Sequence, residues 1–470
     1  MPLSLADEFR TVQQESKKLP QYIVVILATL GSFSIGTYLS WTSPALPLYN
    51  KNGTLSISEQ EGSWICSLVP LGAVPGTLPA GIIADYIGRK KTILITSVPL
   101  LLCWFLIGFA PSVIWIFLAR FVAGAACGAA SVVIPMYVSE IAEDSIRGSL
   151  GTIFQLQITM GILFTYAIGF SNNLHTIALL CALVPGIVLI TFPFMPESPV
   201  WLVTQDRKRE AEVAIKRLRG QHYQAENEIT RYSVDREIQG ERGSVLDLKN
   251  YGRATIITLG LMVFQQLSGV NTLIFYAKTI FEQAGSSLSS TVSSVIVGLV
   301  QVVATYFSTI LIDRAGRKIL LFLSSSIMAI CMFILSGYFR FQKSHDVSDY
   351  SWLPLLSFTI FIIIFSVGFG PIPWMMVGEL FTNNVKSVAS SATAICNWIL
   401  AFLVTKCYQN MVDLMGISSS FATFGMISLF GTAFVAILVP ETKGKSVAEV
   451  QIELYGRTNR SRKSFVHIAT

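Results

Sequence analysis

Apolar residues in this chain gather into long runs separated by short polar loops. The runs lie near residues 21–41, 63–84, 92–110, 113–137, 148–170 and 175–195. After a charged stretch from about Glu197 to Arg253, six more lie near 254–277, 291–312, 319–339, 352–377, 387–408 and 416–439. Each is close to the ~20 residues that carry a helix across ~30 Å of hydrocarbon at ~1.5 Å per residue. The pattern predicts an all-α membrane protein of twelve transmembrane helices in two six-helix halves. The expected division is an N-terminal tail (1–20), a first half (21–196), a charged linker (197–253), a second half (254–440) and a C-terminal tail (441–470). The linker, with the segment RKREAEVAIKRLRGQHY, is too charged to cross a bilayer, and its helix-forming residues predict short amphipathic helices that brace the two halves.

Composition removes the soluble alternative that 470 residues would otherwise allow. Apolar residues make up 52% of the chain, charged residues 13%, and mean hydropathy is +0.59, whereas soluble domains carry roughly 25% charged residues. The net charge of +6 does not indicate a nucleic-acid partner, because the basic residues are spread among short loops rather than gathered in one patch with aromatics. With the N-terminus inside, the inner loops hold Arg89, Lys90, Lys91, Arg147, Arg314, Arg317, Lys318 and Lys386, against Lys51, Lys278, Arg340, Lys343 and Lys406 outside. The positive-inside rule therefore puts both termini in the cytoplasm. No cleavable signal peptide is visible before the first run. Asn52-Gly53-Thr54 is a glycosylation acceptor in the first outer loop, while Asn459-Arg460-Ser461 falls on the inner tail. The seven cysteines sit in or beside apolar runs without metal-ligand spacing to a histidine, so neither metal nor cofactor is expected.

The halves echo each other. Asp85-Tyr86-Ile87-Gly88-Arg89-Lys90 matches Asp313-Arg314-Ala315-Gly316-Arg317-Lys318, Glu140 seven residues before Arg147 matches Glu379 seven before Lys386, and Pro196-Glu197-Ser198 matches Pro440-Glu441-Thr442. The offsets are 228, 239 and 244 residues. One duplicated six-helix unit with small insertions accounts for all three. Two such units facing each other form an alternating-access carrier with its site at their interface near mid-membrane.

The strings DYIGRKK, RFVAGAACGAASVVIPMYVSEIAEDSIRGSLG, PESPVWL, FQQLSGVN, DRAGRK, GFGPIPWMMVGEL and PETKGKS closely resemble the sugar-porter family of the major facilitator superfamily. SWTSPALP at the end of the first run resembles the branch holding insect trehalose transporters and certain animal hexose facilitators. A sugar hydroxyl both donates and accepts, and an amide offers both roles without the desolvation cost of a charge. Amides inside apolar runs are Gln155, Gln157, Gln265, Gln266, Asn271, Gln301 and Asn397. The resemblance implies sugar contact for Gln155, Gln265, Gln266, Asn271 and Asn397; interhelical bonding is the alternative for each. Gln266 and Asn271 lie about 140° apart on an ideal helix, so they share a face only if it breaks at Ser268-Gly269. Trp374 follows two prolines that break the tenth run, and its indole can stack on a sugar ring. The resemblance also implies outer-gate aromatics at Phe275 and Tyr276.

Asp85, Arg89, Glu140 and Arg147 in one half, with Asp313, Arg317, Glu379 and Lys386 in the other, fall at cytoplasmic helix ends. There they can latch the halves and release them, since partly exposed pairs are individually modest. Arg120 lies in the outer half of the fourth run, where it either snorkels outward or pairs within the bundle. Three residues depart from the family pattern: Gln301 where many members have asparagine, Ser366 where glutamate is frequent, and Lys386 for arginine. The first two bear on sugar preference, and the third weakens bidentate pairing. The first run has no acid, and Tyr38 stands near where proton-coupled relatives carry aspartate. A facilitative hexose carrier of the plasma membrane, acting as a monomer, is the expected protein. Trehalose as cargo, proton symport, another solute and a non-transporting sugar sensor are the alternatives; no nucleophile–base pair marks an enzyme.

Overall fold

A computed structural model describes residues 16–52, 55–143, 145–239, 245–285, 288–445 and 447–456. The described residues are helices joined by short turns. The first six spans are Leu19–Ser40, continued after Trp41 by Thr42–Asn52, then Glu59–Ile87, Arg89–Gly108, Val113–Ile141, Arg147–Ile168 and Leu174–Thr191. Three linker helices follow, Pro199–Thr204, Lys208–Arg219 and Ala225–Gln239. The seventh span is split into Gly252–Leu267 and Val270–Ala284; the eighth and ninth are Ser290–Ala315 and Arg317–Gln342; the tenth is split into Leu353–Val367 and Ile372–Leu380. The glycosylation acceptor at Asn52 and the second acceptor at Asn459 lie outside the residues whose side chains are described.

Eleven helical stretches are long and apolar enough to cross a membrane, and the last, Val388–Leu438, holds two spans. It belongs to a helix of 56 residues, Asn383–Leu438, which if straight would reach about 84 Å, more than two bilayer cores. At Gly416 the backbone swings to φ 83, ψ 159, a conformation open to glycine alone without strain. The chain then returns. Asn397 before the turn bonds Gln265 at 2.9 Å, and Phe434 beyond it packs on neighbouring Phe264 with ring centroids 5.2 Å apart. Twelve spans result, as the run pattern predicts. Several helices outlast their apolar runs at the end bearing the Gly-Arg-Lys loops, here the basic end, so Asp85, Glu140 and Glu379 ride on final helical turns rather than in loops.

Two large hydrophobic clusters form beside two small ones. One contains buried residues from Val24 to Leu218; the other runs from Ala254 to Leu454 and takes in Cys66, Ile162 and Tyr166 of the first half. Within the first cluster the second and fourth spans meet backbone to backbone. A methyl added at Gly72 or Gly76 would lie 2.1 Å or 2.0 Å from the carbonyl oxygens of Phe121 and Ala125, and one at Gly124 or Gly128 would lie 2.3 Å or 2.2 Å from those of Val69 and Ala73. In lipid, where apolar side chains gain little by leaving their surroundings, such close approach is a main source of helix association.

The linker helices dock on the first half. Arg219, 2% exposed, donates to the Ile141 carbonyl (2.9 Å) and pairs with Glu228 (3.2 Å), while its own carbonyl accepts from Lys17 N (2.8 Å). Trp201 Nε1 donates to the Asp85 carbonyl at 2.8 Å. These contacts tie the three linker helices to the first half, while the end of the linker, Val245–Tyr251, meets the second: Tyr251 Oη hydrogen-bonds Thr382 Oγ1 (2.8 Å) and its ring lies 5.9 Å from that of Phe381. Packing of the second and fourth spans predicts that Gly76→Ala destabilises by about 1–3 kcal/mol, as overpacking does. Gly81→Ala on the same helix, with nothing within 4 Å of the new methyl, is expected to leave the melting temperature in detergent unchanged.

Candidate functional site

Two broken helices face each other in the second half. The seventh span breaks where Gly269 takes φ 86. The break rotates Asn271 back over Gln266, and Asn271 Nδ2 donates to Gln266 Oε1 at 2.5 Å, so the two amides that an unbroken helix would separate meet on one side. The tenth span breaks at Gly368-Phe369-Gly370-Pro371. Proline lacks an N–H, so Pro373 cannot donate to the Phe369 carbonyl four residues earlier. Gln265 Nε2 donates to that carbonyl (2.6 Å) and to the Gly370 carbonyl (2.9 Å). Ser324 Oγ donates to the Ile364 carbonyl (3.0 Å) and accepts from Phe369 N (3.2 Å). From the eleventh span, Asn397 Nδ2 donates to Gln265 Oε1 (2.9 Å).

The structure thus brings Gln265, Gln266, Asn271 and Asn397 into one amide group beside the tenth-span break. Gln265, Gln266 and Asn397 are buried and Asn271 half-buried; Trp374, just past the break, is 43% exposed. Gln155 is half-buried on the fifth span, with Gln157 buried on another face, and Gln301 is buried on the eighth span. Among the described residues none of these last three makes a side-chain hydrogen bond. The fifth and eighth spans pack together, an added methyl at Gly298 falling 3.2 Å from Leu163 Cα, so Gln301 lies one turn from the contact between halves. Ser366 is also buried.

At the far end, opposite the Gly-Arg-Lys loops, the halves are closed on each other. The seventh span deviates from helical geometry at Tyr276 (φ −113, ψ 16), which frees backbone groups on either side. First-half hydroxyls take them up: Tyr166 Oη donates to the Ile274 carbonyl (2.8 Å), Thr42 Oγ1 to the Phe275 carbonyl (3.1 Å), and Ser43 Oγ accepts from Lys278 N (3.0 Å). Phe275 and Tyr276 are buried there, Tyr276 against Tyr408 with ring centroids 5.1 Å apart. Lys406 of the eleventh span lies 4.4 Å from the Trp64 ring centre and donates to Ser63 Oγ at 3.2 Å. Arg120 is fully buried. It donates to the carbonyls of Tyr38 (2.5 Å) and Ile65 (2.9 Å) and lies over the Trp41 ring at 5.5 Å, so it pairs within the bundle.

At the basic end the repeat becomes two matching clusters. Arg89 pairs with Asp85 (3.0 Å) and Glu140 (2.9 Å), and Ser198 Oγ donates to Glu140. Arg317 pairs with Glu379 (3.1 Å), and Thr442 Oγ1 donates to Glu379 (2.5 Å). Glu197 accepts from Lys90 N (3.0 Å) and Ser198 N (2.8 Å); Glu441 accepts from the backbone nitrogens of Arg317 (2.9 Å), Lys318 (3.1 Å) and Lys443 (2.9 Å). Each carboxylate caps the N-terminus of the helix that begins at the arginine. The preceding glycines share one backbone shape, Gly88 at φ 103, ψ 155 and Gly316 at φ 93, ψ 156, and a methyl there would meet Glu197 Oε2 at 2.4 Å or Glu441 Oε2 at 2.7 Å. These pairs lie within each half. Arg147 and Lys386 are exposed, the Asp313 side chain lies outside the described ones, and a methyl at Gly378 would come 3.3 Å from Lys386 Nζ. Glu197, Ser198, Glu441 and Thr442 stood in the repeat but carried no assigned role. Thr42 and Ser43 stood in the SWTSPALP string but carried no assigned role, and Tyr166 stood in none of the quoted strings.

A polytopic helical bundle with uncharged amides gathered at two broken helices, one buried arginine and its other charges mostly near the ends has the make-up of a membrane transporter. The chain belongs to the sugar transporter family: residues 22–454 match the model of Sugar (and other) transporter proteins. It is 36% identical over 97% of its length to the facilitated trehalose transporter Tret1 of Bombyx mori, covering 90% of that protein. It is 38% identical over 94% of its length to the protein of the same name in Drosophila pseudoobscura pseudoobscura, covering 52% of it. The chain spans about half the length of several of the curated relatives it matches. Among solved structures, the inward-open xylose transporter XylE from E. coli aligns with TM-score 0.76 at 22% identity over 92% of this chain and 99% of that one. The partially occluded inward-open form aligns with TM-score 0.74 at 22% identity, over 91% of this chain and 99% of that one. The fold is the major facilitator fold.

Two outcomes are expected. Burial pushes the Glu441 carboxyl up, but the N–H groups of Lys443, Arg317, Lys318 and Thr442 together pull it further down, below the ordinary glutamate value. Its stabilisation is therefore present above the unfolded value of about 4.3 and lost as pH falls through its lower folded value. Glu441→Gln should cost about 1 kcal/mol at neutral pH, the usual worth of a helix cap. Melting in detergent should show the gap to wild type narrowing on acidification below that value. At the far end, Thr42→Val with Tyr166→Phe removes two hydrogen bonds between halves, each worth about 0.5–1.5 kcal/mol. Buried Cys66, read out by thiol labelling and peptide mapping, should then label faster than in wild type.

Proposed function

We propose that the chain is a facilitative carrier that moves a neutral sugar, a hexose first, across the plasma membrane by alternating access. The observation that carries this reading is the amide group at the two broken helices. Gln266 Nε2, Asn271 Oδ1 and Asn397 Oδ1 keep hydrogen-bonding capacity that no protein group uses among the described residues, and the exposed Trp374 ring lies close by in sequence to the Phe369 and Gly370 carbonyls that Gln265 holds. Such a set replaces water around a polyhydroxylated solute without burying charge. Gln155 and Gln301 face the same interface from the first and second halves in this reading, and Gln157 is a candidate of lower standing because it turns away from Gln155.

The basic end is cytoplasmic by the positive-inside rule, with both termini on that side. The far end, closed by Thr42, Ser43, Tyr166, Phe275 and Tyr276, is then the outer gate, and the conformation faces inward. The clusters around Arg89 and Arg317 stay within their halves in this state. When the inner end closes, Arg147 and Lys386 with the carboxylates of Asp85, Asp313, Glu140 and Glu379 supply the latch between halves. Passive transport is supported by the surroundings of Arg120, whose partners among the described residues are two carbonyls and an indole ring, with Tyr38 rather than an acid beside it. Trehalose is the second reading, favoured by the names of the relatives at 36–38% identity.

The test is uptake of labelled glucose, fructose and trehalose in cells lacking endogenous carriers. Wild type should move at least one of them at a rate unaffected by a protonophore. Gln266→Ala should raise KM for it roughly threefold to tenfold, the worth of about one hydrogen bond. Concentrative uptake that collapses with the proton gradient would make the protein a symporter. Sugar binding without uptake would make it a sensor.

A further inference from the structure

The last described helix, Val447–Tyr455, meets the basic end of the second half and joins two spans that lie far apart in the chain. Val450 and Leu454, one turn apart, are buried in the second-half cluster. The rest of the contact is an exchange between helix ends. The first turn of a helix has N–H groups, and the last turn C=O groups, without a partner in the helix itself. Tyr455 Oη accepts from Ala254 N (3.1 Å) in the first turn of the seventh span, and the Leu454 carbonyl accepts from Arg253 Nη1 (2.6 Å). Gln451 Nε2 donates to the carbonyl of Leu380, where the tenth span ends and the chain turns at Phe381 to φ −114, ψ 142. The helix itself stops at Gly456, φ 70.

Both segments that this helix joins are hinged. Gly252–Leu267 leads into the break at Gly269, and Ile372–Leu380 follows the one at Gly368–Pro371. Each can turn about its break without the rest of the half. The basic end leaves room for this: a methyl at Gly252 meets nothing within 4 Å, nor does one at Gly148 or Gly151 of the fifth span. We propose that Val447–Tyr455 is a strap that holds these two inner segments where they lie while the basic end is open. Its release lets them swing toward the first half. The strap rests on the inward-facing reading above. Bonds made in one of two conformations favour that conformation by the free energy they contribute, so the strap biases the carrier against the state in which the far end opens.

The experiment follows Cys66, buried among residues of the second half, by labelling whole cells with a membrane-impermeant maleimide and mapping the peptides. Gln451→Ala/Tyr455→Phe removes two of the three bonds and leaves Val450 and Leu454 in place; Arg253→Met removes the third. Ile452→Ala, on the exposed face of the same helix, is the control. The strap predicts that Cys66 labels about threefold to tenfold faster in the double variant and about twofold to threefold faster in Arg253→Met, in keeping with the loss of one or two hydrogen bonds. Ile452→Ala should match wild type. Unchanged or slower labelling in the double variant overturns the proposal whatever the melting temperature, since a helix that only stabilises its own half leaves the far end as it was. If the double variant does not reach the cell surface, Arg253→Met decides: faster labelling supports the strap, and unchanged labelling overturns it. Uptake of labelled glucose and trehalose by the same cells separates the strap from the carrier reading. A wild type that moves no sugar, with variants that label faster, overturns the carrier reading and supports the strap. A transporting wild type whose variants label as it does overturns the strap alone.

Discussion

Inside a bilayer every backbone N–H and C=O must find its partner within the protein, because lipid offers none. In this chain the departures from helix at Gly269, Tyr276 and Gly368–Pro371 each free backbone groups; at Gly269 Ser268 Oγ of the same span donates to the Gln265 carbonyl, and the other two are answered by side chains from neighbouring spans. Gln265 and Ser324 answer the break of the tenth span. Tyr166, Thr42 and Ser43 answer the kink of the seventh. The functional geometry grows out of this obligation. Where the helix is broken, polar side chains must converge, and a convergence of uncharged polar groups in an apolar bundle is what a sugar requires.

The same rule separates the two ends. At the far end, contacts between halves include hydroxyl-to-backbone bonds, side-chain bonds from Gln60 to Asn410 and from Gln409 to Glu59, and a cation over an indole ring, neutral bonds of this kind being worth on the order of 1 kcal/mol each. Such a set holds a gate closed yet yields to a modest change elsewhere. At the basic end, by contrast, charge-assisted caps and arginine–carboxylate pairs knit each half internally. Glu197 and Glu441 bind backbone nitrogens at helix N-termini, where carboxylates are most favourably placed. The glycines before those helices leave room that any side chain would fill. Each half is thus stiffened at its basic end while the contact at the far end remains reversible, a division suited to rigid bodies that rock about a central site.

Much of this was legible in the residues. Run length and loop charge determined the number of spans and the two-fold repeat, because hydrocarbon thickness and backbone satisfaction leave a chain little choice. The Ser268-Gly269 break and the prolines around Trp374 were visible as local breakers, and the amides stood out because polar side chains in apolar runs are few. Tertiary structure decided the rest. No spacing distinguishes Gln265, whose donors go to the tenth span, from Gln266, whose donors meet no partner among the described residues, since both roles use one side chain and differ only in which carbonyl lies within 3 Å. Nor does sequence tell that the linker helices settle on the first half, that Arg120 lies over Trp41, or that Thr42 and Tyr166 close the far end. Helix formation and insertion are governed by local composition, whereas partners across helices depend on how two halves, far apart in the chain, come to lie against each other.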